Sequence, residues 1–269
     1  MIERALAFPA SASLVGVLTA PDAAPAAARP AVVWLNAGML HRVGPNRLHV
    51  RIARHLATRG ITSLRFDLSG VGDSAPRRDG LPFRAAAVRD AQDAMDAVGA
   101  ERVVLAGICS GADLACRVAL ADTRVAGLVL IDGLPYRTRR ASLHFATTRL
   151  IHYGAWRKLF APRAVARLMR AGGPAAPTVS SGLGKRDIPP MAEAETMLRT
   201  LTERGVRILA IYTEGREYAY RRQFAHSFPS VRRDRVRVEY LEGADHTFTL
   251  RANQDRLVRT IEEWLTVWH

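Results

Sequence analysis

The sequence predicts an α/β protein built on a mostly parallel sheet with helices on both faces. Three observations carry this. Apolar runs of strand length alternate with helical patterns, most connections are short, and the runs are apolar throughout, as in strands buried on both sides. The 269 residues suffice for one large domain, and no break in composition marks a second.

The elements follow in order. The opening MIERALAFPASASLVGVLTA loosely mimics a secretory leader, but Pro9, Ser11 and Ser13 interrupt its apolar stretch. It reads instead as a hairpin whose second strand covers 13–20, followed by a surface connection, PDAAPAAARP. AVVWLNAG (31–38) is a buried strand, and NRLHVRIARHLATRG (46–60) a helix with Leu48, Ile52 and Leu56 inward and Gly60 as its cap. A strand at 61–68 ends in SGVGDS; a helix (83–98), a strand (102–109), a helix (110–121) and a strand (125–133) come next. Regularity lapses over 133–190, which reads as a helical lid inserted after the sixth strand. A helix (191–204), strands at 206–213 and 236–243 and a final helix (252–267) complete a single domain, 1–269.

Composition sets outer limits. Hydrophobic content of 48% and charged content of 24% belong to a globular chain, and no apolar run approaches the roughly 20 residues of a membrane helix. Cys109 and Cys116, seven residues apart on one helix, would stand roughly 10 Å from each other, too far for a disulfide. That pattern points to a reducing cytoplasm, with Cys116 a small buried residue. The net charge of +14 is nearly all arginine, a skew that a GC-rich genome produces without any function.

Placement of charge is more telling. Between Leu134 and Arg170 stand nine cationic residues, Arg137, Arg139 and Arg140 among them, with no Asp or Glu. An electropositive lid attracts an acidic partner or anionic substrate: an acyl or peptidyl carrier protein, or a coenzyme A ester. Nucleic acid has no supporting motif. No metal or cofactor is expected.

The stretch RVVLAGICSGADLACRVAL supplies a strand, a sharp Gly-x-Cys-x-Gly turn and a helix, the order a nucleophile elbow needs. The register puts Cys109 at the nucleophile position and the Ser110 N–H where an oxyanion develops. A second oxyanion donor should come from the loop after 31–38, from Gly38 or Met39. His41 and Arg47, in a donor-rich loop, are candidate substrate contacts. His246, just after the last strand, is the expected base. For the acid, Glu217 is favoured, with Glu214 and Asp132 as alternatives. A thiol ionises near ~8.5 and depends less on an oriented acid than a serine does. Asp67 reads as structural.

GICSGA, LNAGMLHRVGPNRLHVRIARHLA, LRFDLSGVGDS and GADHTF together resemble the α/β-hydrolase superfamily, over about residues 31–267. More closely, the chain is similar to bacterial hydrolases found beside exosortase and natural-product gene clusters. Its central cysteine is similar to that of dienelactone hydrolases and certain carrier-linked thioesterases. The resemblance implies an eight-stranded sheet and the Cys109/His246 pair. It departs at Arg216, near the position that usually holds the acid. The expected activity is acyl transfer or thioester hydrolysis on carrier- or CoA-bound acyl groups. The alternatives are an ester or lactone hydrolase and a catalytically weak acyl-binding protein.

Overall fold

The computed structural model describes residues 1–9, 13–22, 29–136, 186, 188–214, 218, 220 and 222–268. Eight strands form one sheet: β1 (Ile2–Phe8), β2 (Leu14–Ala20), β3 (Ala31–Leu35), β4 (Ser63–Phe66), β5 (Val103–Ile108), β6 (Val125–Ile131), β7 (Arg207–Thr213) and β8 (Val236–Leu241). Their spatial order is β1-β2-β4-β3-β5-β6-β7-β8. β1 pairs antiparallel with β2, and β2 with β4; every later pairing is parallel. The expected mostly parallel eight-stranded sheet is therefore present, with the N-terminal hairpin as its antiparallel edge.

Six α-helices accompany it among the described residues: α1 (Leu48–Thr58), α2 (Phe83–Val98), α3 (Ser110–Ala121), α4 (Met191–Glu203), the short α5 (Gln223–Ser227) and α6 (Arg251–Thr266). Side chains of a strand alternate between faces, so each central strand feeds two cores. Val33, Leu35, Leu105 and Leu128 pack against Ala91, Met95, Ala115 and Leu198 of α2, α3 and α4. On the other face, Val32, Trp34, Val104 and Val129 share a core with Leu48, Ile52 and Leu56 of α1 and with Leu257 and Ile261 of α6. β3 stops at Leu35, three residues before the run AVVWLNAG ends, because Asn36 turns its side chain into the loop that follows.

Between β6 and α4 lies the insertion anticipated over 133–190; residues 137–185 and 187 of it lie outside the described residues. The lid arginines Arg137, Arg139 and Arg140 fall there. No described helix is long and apolar enough to cross a membrane.

Candidate active site

One residue makes the turn from β5 into α3. Cys109 has φ 59 and ψ −121, backbone that non-glycine residues rarely adopt. Its N–H donates to the Ile131 carbonyl at 2.9 Å, and its own carbonyl accepts from Ala112 N–H at 3.1 Å. The flanking glycines have steric reasons. A Cβ on Gly107 would stand 2.4 Å from the Gly111 carbonyl carbon, and one on Gly111 2.6 Å from the Asn36 oxygen. The Gly-x-Cys-x-Gly spacing is what lets the helix close over the strand end.

His246 lies on the loop after β8. Its Nδ1 is 2.7 Å from Asp132 Oδ2, which makes Nδ1 the protonated nitrogen, and the ring also hydrogen-bonds Cys109. Asp132 follows β6 at φ 49 and is fixed from β7: Thr213 N–H donates to Oδ1 at 2.8 Å and Thr213 Oγ–H to Oδ2 at 2.7 Å. Among the described residues the carboxylate facing the ring is Asp132, one of the two alternatives to the favoured Glu217. Glu217 and Arg216 lie outside the described residues. Glu214 points elsewhere, accepting the Gly243 N–H at 2.7 Å. The physical reason is adjacency: β6 and β7 are neighbours, so Thr213 at the end of β7 can hold Asp132 against the histidine.

The charges fit together. The Asp132 hydrogen bond, then that to Cys109, raises the His246 imidazolium from 6.5 to about 9 against the opposing effect of burial. Burial pushes the Cys109 thiol up, but the His246 hydrogen bond, the positive charge of Arg186 and the Ser110 main-chain N–H outweigh it. The net direction is down. Cys116 goes the other way, since full burial disfavours its thiolate.

The loop after β3 is braced from below. Asn36 Nδ2 donates to the Leu40 carbonyl at 2.8 Å and to Asp67 at 3.1 Å, while its Oδ1 accepts from Leu68 N–H at 2.8 Å. Asp67, fully buried, also accepts from Arg42 N–H at 2.6 Å and Asp73 N–H at 3.2 Å. Gly38 sits at φ 61, and its N–H donates to Ser110 Oγ at 2.7 Å. Met39, beside it, is exposed.

With this geometry in view, relatives can be weighed. The model of the alpha/beta hydrolase family matches residues 33–260. The chain belongs to that family. Solved structures agree in fold across nearly the whole chain. A putative hydrolase from Agrobacterium vitis S4 is 22% identical with a TM-score of 0.58, covering 98% of each chain. Proline iminopeptidase from Mycobacterium smegmatis is 20% identical with a TM-score of 0.63, again over 98% of each. A hypothetical protein from Pseudomonas aeruginosa PAO1 is 19% identical with a TM-score of 0.64, covering 99% of this chain and all of its own. No curated protein sequence matches. Family membership makes the chain, coarsely, a hydrolase.

Two residues of this hydrolase's site were not foreseen. Arg186 grips Asp113 of α3, Nε to Oδ2 at 2.6 Å and Nη2 to Oδ1 at 3.1 Å, and Nη2 also donates to the Asp132 carbonyl at 3.0 Å. Asp113 in turn accepts the Leu134 N–H at 2.8 Å. The pair fastens α3 to the loop after β6. Asp113 showed a weak signal, an acid in the first turn of a helix; Arg186 showed none, being 73 residues away in sequence.

The remaining candidates sit further out. His41 lies 3.2 Å from Asp73 and close to Asp67, a grouping of metal-ligand type, but Arg42 Nη1 already stands among them, hydrogen-bonded to Asp67 and 2.7 Å from Asp73. The cation of that cluster is a guanidinium. Arg47 is exposed at φ 58, and neither His41 nor Arg47 bonds Cys109, His246 or Asp132.

Proposed function

We propose that this hydrolase acts on acyl thioesters, carrier- or CoA-bound, through Cys109. The observation that supports this best is a cysteine at the elbow, hydrogen-bonded to an Asp132-paired His246. The thiolate adds to the acyl carbonyl, forming an S–C bond while the C=O π pair moves onto oxygen. Collapse breaks the bond to the departing thiol, which takes the imidazolium proton. Water, an amine or an alcohol then accepts the acyl group, His246 removing its proton. Ser110 N–H lies at the helix start, where it can stabilise the oxyanion, with the Gly38–Met39 loop beside it.

Sulfur favours a thioester substrate. An acyl-cysteine is itself a thioester, so the first transfer is nearly isoenergetic and keeps the acyl group activated. The nine uncompensated cations between Leu134 and Arg170 suit recruitment of an acidic acyl or peptidyl carrier, in a cytoplasmic setting. The test is the intact mass after incubation with a panel of acyl thioesters. One acyl group should appear on the wild type and none on Cys109→Ala. Turnover of esters or lactones that survives Cys109→Ala would overturn the reading.

A further inference from the structure

Ser110 enters the site twice. Its main-chain N–H is directed at the Cys109 sulfur, as expected for the residue after the nucleophile position. Its side chain does something else: Oγ accepts the Gly38 N–H at 2.7 Å. Gly38 is one of the two candidate loop donors, Met39 being the other, and its position is not slack. Asn36 holds the loop through Leu40, Leu68 and Asp67, and Gly38 needs its positive φ of 61 to present the N–H there. The donor is therefore occupied by a hydroxyl set on the first residue of α3.

A hydroxyl that accepts one hydrogen bond still has a proton to give. Among the described residues no acceptor takes the Ser110 proton, which cannot lie along the incoming Gly38 N–H. It sits on the same residue whose N–H faces the reacting sulfur. We propose that the Ser110 hydroxyl donates directly to the substrate oxyanion, with the Gly38 N–H polarising it from behind. The assignment rests on the acyl-transfer reading above and refines it: one residue supplies two of the donors.

The step balances without proton transfer at Ser110. The Cys109 S–C bond forms, the carbonyl π pair becomes the oxyanion, and Oγ–H shortens its hydrogen bond to that oxygen while keeping its proton. On collapse the pair returns and the leaving thiol takes the His246 proton. A side-chain donor backed by a main-chain donor strengthens as charge develops, because each bond polarises the next.

Two reactions of Cys109 separate this role from a general effect on the thiol. Acylation by a simple acyl thioester passes through an oxyanion; alkylation by iodoacetamide does not. Both are followed by intact mass in single-turnover mode, in a Cys116→Ala background. Ser110→Ala should slow acylation by about 10- to 10²-fold, the range for losing one oxyanion donor with partial replacement by Gly38. Alkylation should keep its rate and pH dependence, and Ser110→Thr should recover much of the acylation. Acylation that is unchanged or faster in Ser110→Ala would mean the hydroxyl only blocks Gly38, and would overturn the proposal. An equal loss in both reactions would overturn it too, assigning Ser110 to thiol placement. A wild type that is alkylated but accepts no acyl group would sink the thioester reading itself.

Discussion

Asp132→Asn asks how much of the site depends on its acid. The asparagine keeps the size and leaves an oxygen for the Thr213 N–H, but removes the charge and offers an N–H₂ where Nδ1–H needs an acceptor. His246 stands near 9 instead of 6.5, a difference worth roughly 3 kcal/mol, with Asp132 its first cause and Cys109 its second. Losing most of that should cut kcat/KM for a thioester by about 10- to 10²-fold, less than a serine enzyme would lose because the thiol ionises more readily. The pH profile should change shape as well. A raised imidazolium keeps the charged pair intact below about 9, so the alkaline limb should fall back toward 6.5 in the variant. The sign for stability is the same: the contribution of His246 is complete below 6.5 and is lost as pH rises through about 9. Steady-state kinetics from about pH 5 to 10 decide the matter. An unmoved alkaline limb, or a larger loss in Glu217→Gln or Glu214→Gln, would refute the assignment of Asp132.

Three further outcomes are expected. Cys109→Ala should abolish labelling by iodoacetamide at neutral pH, whereas Cys116→Ala should leave it intact, since burial holds that thiol protonated; mass spectrometry of the labelled protein reads this directly. Glu3 is held near 2, first by its hydrogen bond to Arg54 and then by Arg65, which is buried beside it at 2.6 Å. Glu3→Gln should therefore cost about 1 kcal/mol at pH 7 in urea unfolding, since solvent screens the carboxylate of this exposed residue, and the cost should shrink as pH falls from 4.5 toward 2; a pH-independent cost would exclude the ion pair as its cause. Reversing Arg137, Arg139 and Arg140 to Glu should raise KM for a carrier-linked acyl group and flatten its salt dependence, because such attraction is screened within about 8 Å at physiological salt. A short neutral thioester should be little affected, and equal losses on both would count against carrier recruitment.

The fold was legible because its signals are local. Continuous apolar runs, Gly60 after α1 and the Gly107/Gly111 spacing each report on backbone within a few residues, and the sheet follows from their alternation. The site was legible only where it shares that property. Cys109 is fixed by its own turn and His246 by its place after the last strand. The carboxylate facing His246 is not local: Asp132 and Glu214 end neighbouring strands, and Thr213 and Gly243 decide which of these two turns to the ring, which a linear pattern does not display. Arg186 is further from legibility still, since its partners lie 73 and 54 residues away. The Ser110 hydroxyl was hidden for another reason, as its role depends on where the Gly38 amide ends up.

The grip of Arg186 on Asp113 and on the Asp132 carbonyl has a consequence for control. Arg186 belongs to the insertion between β6 and α4, yet its charge bears on the Cys109 thiolate. The ionisation of Cys109 and the seating of Arg186 on Asp113 are thereby linked thermodynamically. Anything that draws Arg186 off Asp113 strands a buried carboxylate beside α3 and withdraws a positive charge from the sulfur, so the thiol turns toward its unreactive protonated form. By reciprocity, forming the thiolate tightens the grip.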